Sequence, residues 1–354
     1  MKETIKKLLA RAVFAPSGEN SQPWRFRLQG DKLYIYNLPH RDNPVYNYRQ
    51  RGSYFAHGAL IQNILLLAPE YGLRVESILF PDPNNEDLVA ELSISALEIK
   101  QTDPLSDFIE KRATNRKPYD NKLLTEEESK IISAVSDKFT DLEFKIIIEE
   151  EAKKKIGHLA SSCDRMMLEH KPLHNSIFAN ICWNEKEEKN KRTGLYIKAM
   201  ALKPPQEIVF RLLRYWPIAS LFKKIGFPKV VAKENAKLYS TGSIFLAVVV
   251  KPEKEIFVRA GQAIQLLWLG LTRKGLSAHP LAALAYLAAH VNDEAVNTFG
   301  AEHVKEIKKN YSQLEEIVGI KPGKTLAMML RIGYGGEAPA TSSRLEPEIE
   351  FIES

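Results

Sequence analysis

Four short stretches of this 354-residue chain carry residue types and spacings suited to gripping a polar ligand. The first is Ala15-Pro16-Ser17-Gly18-Glu19-Asn20-Ser21-Gln22-Pro23-Trp24. Pro16 and Pro23 each remove a backbone donor and Gly18 loosens the chain between them, so the run is an irregular loop. Ser17, Asn20, Ser21 and Gln22 offer hydrogen bonds in both directions. In the second, Arg112, Arg116 and Lys117 bracket Thr114. At a turn or helix start this spacing aims two guanidinium forks and a hydroxyl at one phosphate; it equally suits a solvated basic turn. The third, 275–284, runs irregularly from Gly275 to Pro280, where freed amides face a ligand or merely connect two elements. His279 there reads more readily as a hydrogen-bonded loop residue than as a base. The fourth is the tail 333–348, where Arg344 follows a small-residue linker that could also be a fraying terminus.

These stretches need elements to position them. Ile5, Leu8, Leu9, Ala12 and Val13 make one stripe of a helix over 3–14. Strands are expected at 31–38, 76–81, 88–94, 143–149, 239–252 and 325–335, and apolar helices at 55–72 and 256–275, the first closed by Gly72. A helix is expected over 104–111, and Thr125 with Glu128 forms a capping box for the next. Residues 150–240 read as helical and irregular. Gly58–Leu73 and Gly261–Leu276 align without a gap and share six of sixteen residues: Gly58/Gly261, Ile61/Ile264, Gln62/Gln265, Leu66/Leu269, Gly72/Gly275 and Leu73/Leu276. Two apolar helices can match by chance; the other reading is two related halves, a covalent pseudo-dimer with a natural cleft between them.

An apolar fraction of 44% supports a full core and excludes wholesale disorder. The net charge of +6, from 50 basic and 44 acidic residues, reads as a mild excess spread along the chain. It suits an anionic ligand or a membrane surface. No Arg-rich arm or basic–aromatic stripe points to nucleic acid. Cys163 and Cys182 lack metal-site spacing and read as reduced thiols of a cytoplasmic protein. The start of the chain lacks a continuous apolar signal region, and the apolar run 244–250 is too short to span a bilayer. Dinucleotide, Walker, nucleophile-elbow and paired-His metal motifs are missing.

Together, the Ala15–Trp24 loop, the Arg112-Thr114-Arg116 segment, the buried helix ending in Gly-Leu, and the late Gly-Tyr strand followed by Arg344 resemble the nitroreductase-like flavoprotein family. The loop matches that family's "APSxxNxQPW" pattern and the basic segment its "RxSxR" opening. In ordinary members the basic segment comes first and two identical subunits share each flavin. Here the order is inverted, which resembles the single-chain, Acg-type branch, in which two degenerate halves fuse and one FMN site survives. The resemblance implies an α+β fold of two fused halves, each a mostly antiparallel sheet with a buried central helix. The halves would be 1–107 and 108–354, with 165–240 a helical insertion or lid.

The resemblance also implies roles. Pro16, Ser17 and Gly18 would contact the flavin ring, with Asn20 and Gln22 holding the loop. Arg112, Thr114, Arg116 and Arg344 would take the ribityl phosphate. Leu281, Ala282 and Ala283 match the stretch that offers an amide to flavin N5 and O4. Two departures stand out: Ser342 replaces a second basic residue before Arg344, and Ala282 an acidic residue near N5. The implied activity passes hydride from NADH or NADPH to FMN and on to a quinone, nitroaromatic or other electron-poor small molecule, with no catalytic side chain. A flavin-sequestering protein whose lid blocks the nicotinamide is the alternative. A monomer or homodimer fits. The segment 208–227 reads first as a lid, next as core helices, and last as a membrane-surface pair.

Overall fold

The computed structural model describes residues 1–293 and 297–353. In chain order it begins with α1 (Lys2–Ala12), β1 (Trp24–Gln29), β2 (Lys32–Asn37), α2 (Arg51–Leu67), β3 (Leu73–Leu79) and β4 (Leu88–Ala96). Then come α3 (Glu126–Lys138), β5 (Glu143–Ile147), α4 (Glu150–Glu169), α5 (Lys171–Ala179), β6 (Ile181–Cys182), α6 (Glu185–Lys191) and β7 (Leu195–Tyr196). Three short helices follow, α7 (Pro204–Leu213), α8 (Trp216–Lys224) and α9 (Phe227–Tyr239). The chain closes with β8 (Ile244–Val250), α10 (Lys254–Arg273), β9 (Ser277–Pro280), α11 (Ala283–Val291), α12 (Ala301–Val318), β10 (Thr325–Gly333) and β11 (Ile349–Ile352).

The architecture is α+β. One sheet has the order β11-β1-β2-β4-β3 and a second the order β5-β8-β10-β9. Every pairing in both is antiparallel except that of β1 with β11. The helices α2 and α10 cross between the sheets. Ile244, Leu246, Val248 and Val250 of β8 face this central core, whereas Phe245, Ala247 and Val249 face a second core built with α4, α11 and α12. With both faces covered, β8 needs an unbroken apolar run rather than an alternating one. Residues from the end of α4 to α9 form a third, smaller core.

The repeat noted in the sequence lies at the crossing of α2 and α10. A Cβ on Gly58 would stand 1.8 Å from the Val258 carbonyl oxygen, and one on Gly261 would stand 1.9 Å from that of Phe55. Val258 precedes Gly261 by three residues, as Phe55 precedes Gly58, so each helix meets the other through the same position. Only glycine lets two backbones approach this closely. Asn63 and Gln265, both buried, join side chains across the same crossing at 2.7 Å.

Two expectations change. The stretch 104–111 holds only a 3₁₀ turn, Ser106–Phe108. Asp103 accepts from the amides of Leu105 and Ser106, which sets a turn where a longer helix would need free amides. The tail is not frayed: β11 adds parallel to β1, with Phe26 opposite Ile349, so residues from the far end of the chain complete the first sheet.

Candidate functional site

The loop after α1 is held in a costly conformation. Glu19, Asn20 and Gln22 have φ of 48°, 57° and 50°, the left-handed region that side chains other than glycine adopt at a cost. Side-chain bonds over-determine it. The Gln22 amide donates to Ser17 Oγ at 3.0 Å. Fully buried Gln22 donates through Nε2 to the Arg192 carbonyl at 2.7 Å and accepts at Oε1 from the Leu345 amide at 2.9 Å. Asn20 Nδ2 reaches the carbonyls of Arg192 and Ser343 at 3.2 and 3.1 Å. The loop is thus tied to the turn after α6 and to the C-terminal tail, and Asn20 and Gln22 are engaged in holding it.

This arrangement opens a cleft lined by Pro16, Ser17 and Asn20 from the loop; Arg112, Thr114 and Arg116 from the basic segment; and Arg344 from the tail. Gly194, Leu195 and Ala199 at and beside β7 and Ala340, Thr341 and Ser342 of the tail wall it as well. The basic segment is fixed against the second sheet: Thr114 bridges to Ala278, and the Asn115 amide donates to the Ala278 carbonyl at 3.2 Å. The cleft holds about 100 Å3, and a second cavity of about 300 Å3, lined by Arg41, Asn43 and Asn180 among others, adjoins it across Glu19 and Gly194.

Its electrostatics are those of an anion site. Arg112 is only 5% exposed and stacks on the Trp268 ring at 4.5 Å, while its Nη2 donates to the Phe14 carbonyl at 3.3 Å. Burial, and then repulsion from Arg344, push its pKa down to about 9. Burial pushes Arg344 down to about 10, despite the opposing pull of Glu188. Among the described residues neither guanidinium has a carboxylate within ion-pair distance, and the Nε of each is buried without a hydrogen-bond partner. Two neighbouring buried cations with unspent donors are costly unless an anion joins them. The residues therefore fit a phosphate. Arg116 is half-spent, donating to the Ala199 carbonyl at 3.1 Å.

Not every expected residue lines this cleft. Gly18 lies at its edge, where a Cβ would come within 3.2 Å of Asp42 Oδ1. Leu281, Ala282 and Ala283 sit where β9 passes into α11, and the Leu281 amide already donates to the Met329 carbonyl at 2.8 Å. Leu281 and Ala283 pack against the second core instead. Arg116 acts electrostatically on Tyr239 and His279, whose rings lie 5.6 Å apart, and Tyr239 donates to Asp164 at 2.9 Å. Burial, with Arg331 and Arg116 adding to it, pushes His279 well below the ordinary imidazole value, and burial raises Asp164 to about 6.

Glu19 went unassigned in the sequence. It accepts from Asn180 Nδ2 at 2.6 Å and from Asn43 Nδ2 at 3.4 Å. Burial, with the Asp42 charge adding to it, raises Glu19 to about 7. Asp42 itself is raised to about 6 by burial. Asn180, Asn43 and Asp42 come from distant positions, and no local pattern marks them as partners of Glu19.

No protein-family model matches the chain. Two curated proteins from strains of Mycobacterium tuberculosis, each named "Putative NAD(P)H nitroreductase", are 28% identical over 118 residues. That alignment takes in 33% of this chain and 34% of each relative, so the match spans about a third of their length. Among solved structures, a nitroreductase with bound FMN from Desulfitobacterium hafniense aligns with TM-score 0.37 and 9% identity, covering 70% of this chain and 95% of that one. A nitroreductase-like family protein from Bacillus cereus aligns with TM-score 0.35 and 12% identity, covering 70% and 94%. Both comparisons lead to nitroreductase-like proteins.

Proposed function

We propose that the chain is an FMN-dependent oxidoreductase of nitroreductase type that draws on NADH or NADPH. The observation that carries this reading is the convergence of the Pro16-Ser17 loop, Arg112 and Arg344 on one cleft, with two buried guanidinium groups lacking an anion. When bound there, FMN supplies the redox chemistry and the protein supplies position and charge. Arg112 and Arg344 would hold the phosphate through their guanidinium groups, and Thr114 would add a hydroxyl. Ser17 accepts one hydrogen bond from the Gln22 amide and keeps its own proton to donate into the cleft. Pro16 presents rigid apolar backbone beside it. A quinone, a nitroaromatic or another electron-poor small molecule is the proposed acceptor.

On this reading 1–107 and 108–354 are two related halves, a division supported by the reciprocal packing of Gly58 and Gly261. The insertion 165–240 serves as the lid.

A second reading, flavin sequestration, is favoured by one observation. The cleft volume of about 100 Å3 is below the roughly 300–1,000 Å3 typical of ligand pockets, and the insertion and the tail wall it in. A flavin must therefore occupy the adjoining cavity too, or lift the insertion, which restricts a nicotinamide. The test is to load the protein with FMN and mix it anaerobically with NADH or NADPH. Bleaching at a turnover rate supports the oxidoreductase. Bleaching by dithionite alone supports sequestration, and a colourless protein after incubation with excess FMN refutes both.

A further inference from the structure

The charge of this chain is not spread evenly. Lys203 to Lys233 contains seven basic residues and one acidic one, Glu207, which leaves 43 basic and 43 acidic residues in the remainder. The net +6 of the chain therefore resides in one 31-residue segment that holds α7, α8 and the first half of α9, whose second half adds one acid, Glu234, and one base, Lys237. The exposed apolar side chains gather in the same place. Ile208, Leu212, Tyr215, Leu221, Ile225 and Val230 account for half of the large exposed apolar residues among those described, Ile225 being 74% and Ile208 63% exposed.

Core packing does not account for these side chains. The inner face of the three helices is already occupied: Leu213, Ala219, Trp216, Phe222 and Phe227 pack with Phe178, Ile197 and Tyr196 in the third core. Ile208 with Leu212, and Leu221 with Ile225, repeat at four-residue spacing and so lie on outer faces. Two-residue turns, Arg214-Tyr215 and Ile225-Gly226, join the helices. Exposed Lys203, Arg214, Lys223, Lys224, Lys229 and Lys233 accompany the apolar side chains. Among the described residues no helix is long and apolar enough to cross a membrane.

We infer that α7–α9 dock this protein on the surface of an anionic lipid bilayer, the apolar side chains entering the headgroup boundary and the lysines engaging lipid charge. Charge complementarity identifies the occupant: exposed apolar side chains interspersed with an excess of cations, their two acids Glu207 and Glu234 each paired within the helices, match a negatively charged, apolar-cored surface. Glu207 is held by Arg211 at 2.7 Å, so it does not oppose the contact. This inference rests on exposure and charge alone and stands apart from the FMN reading.

The test is cosedimentation of the whole protein with phosphatidylcholine vesicles, with and without phosphatidylglycerol, at low and high salt. Binding is expected only to the anionic vesicles and is expected to weaken with salt. Neutralising Lys224, Lys229 and Lys233 to Gln should reduce binding about a hundredfold. Leu221→Ser with Ile225→Ser should reduce it about tenfold or more, with circular dichroism reporting an intact fold. These positions are exposed, so folding is not at stake. Failure to bind anionic vesicles at low salt overturns the proposal, as does equal binding to neutral vesicles or indifference to both sets of substitutions. Lipid-independent self-association through the same residues, or binding of a nucleic acid duplex without binding of vesicles, assigns the surface elsewhere and also overturns it.

Discussion

Arg112→Ala separates a phosphate site from a structural arginine. In the ligand-free protein Arg112 is a buried cation whose pKa is depressed to about 9, first by burial and then by Arg344. Its favourable contacts are one long bond to the Phe14 carbonyl and the stack on Trp268. A buried cation–aromatic contact contributes about 0.5–2 kcal/mol, against a desolvation and repulsion cost of the same order, so removal should change the stability of the ligand-free fold little. The effect on FMN should be large. A charge-assisted bond to phosphate contributes about 1.5–3 kcal/mol, or roughly a 10- to 150-fold rise in Kd. Riboflavin keeps the ring and ribityl chain without the phosphate, so its affinity should stay nearly constant. The assay is fluorescence titration of both flavins into wild type and variant, with thermal melts of the ligand-free proteins. Equal losses for FMN and riboflavin would refute the phosphate assignment. A collapse of ligand-free stability with no change in selectivity would make Arg112 a structural residue.

Glu19→Gln tests the buried carboxyl. A raised folded-state pKa means that the native protein holds a proton the unfolded chain has released, so stability should fall as pH rises from about 4.5 to about 7. The Glu19 share is on the order of 1–3 kcal/mol, and the variant should reduce that slope by this amount in melts across the window. Gly58→Ala should destabilise by more than about 3 kcal/mol, because the new methyl overlaps the Val258 carbonyl and the helices must separate; denaturant unfolding measures it. Gln22→Ala removes the buried ties to Arg192 and Leu345, at about 2–4 kcal/mol in all. It should expose the chain near 192 to limited proteolysis and weaken FMN retention, and an unchanged cleavage pattern would show that the loop holds without it.

Much of the fold was legible along the chain because its signals are local. The stripe Ile5, Leu8, Leu9 and Ala12 marks α1. The capping box at Thr125 and Glu128 forms as expected, with each residue's side chain bonding the other's backbone amide. Gly72 takes the left-handed conformation (φ 73°), although it ends the 3₁₀ turn Ala68–Tyr71 that continues α2 rather than α2 itself. The irregular loop at Pro16–Gln22 was legible for the same reason, since proline and glycine act on the backbone where they stand. The helix expected over 104–111 failed because Asp103 competes for the first amides, a choice between two local hydrogen-bond patterns that composition does not rank.

The sequence by itself determined which segments are irregular, which helices are buried on all sides, and which residues could serve an anion. Only the tertiary structure decided that Arg112 and Arg344, 232 positions apart in the chain, neighbour each other with no carboxylate among the described residues in ion-pair distance of either. It also decided that Glu19 meets Asn180, that the tail completes the first sheet, and that Ile208, Leu212, Leu221 and Ile225 of α7–α9 stay exposed. The physical reason is range. Backbone preference and helix periodicity act over a few residues, whereas desolvation and charge repulsion depend on what the fold brings within a few ångströms from anywhere in the chain.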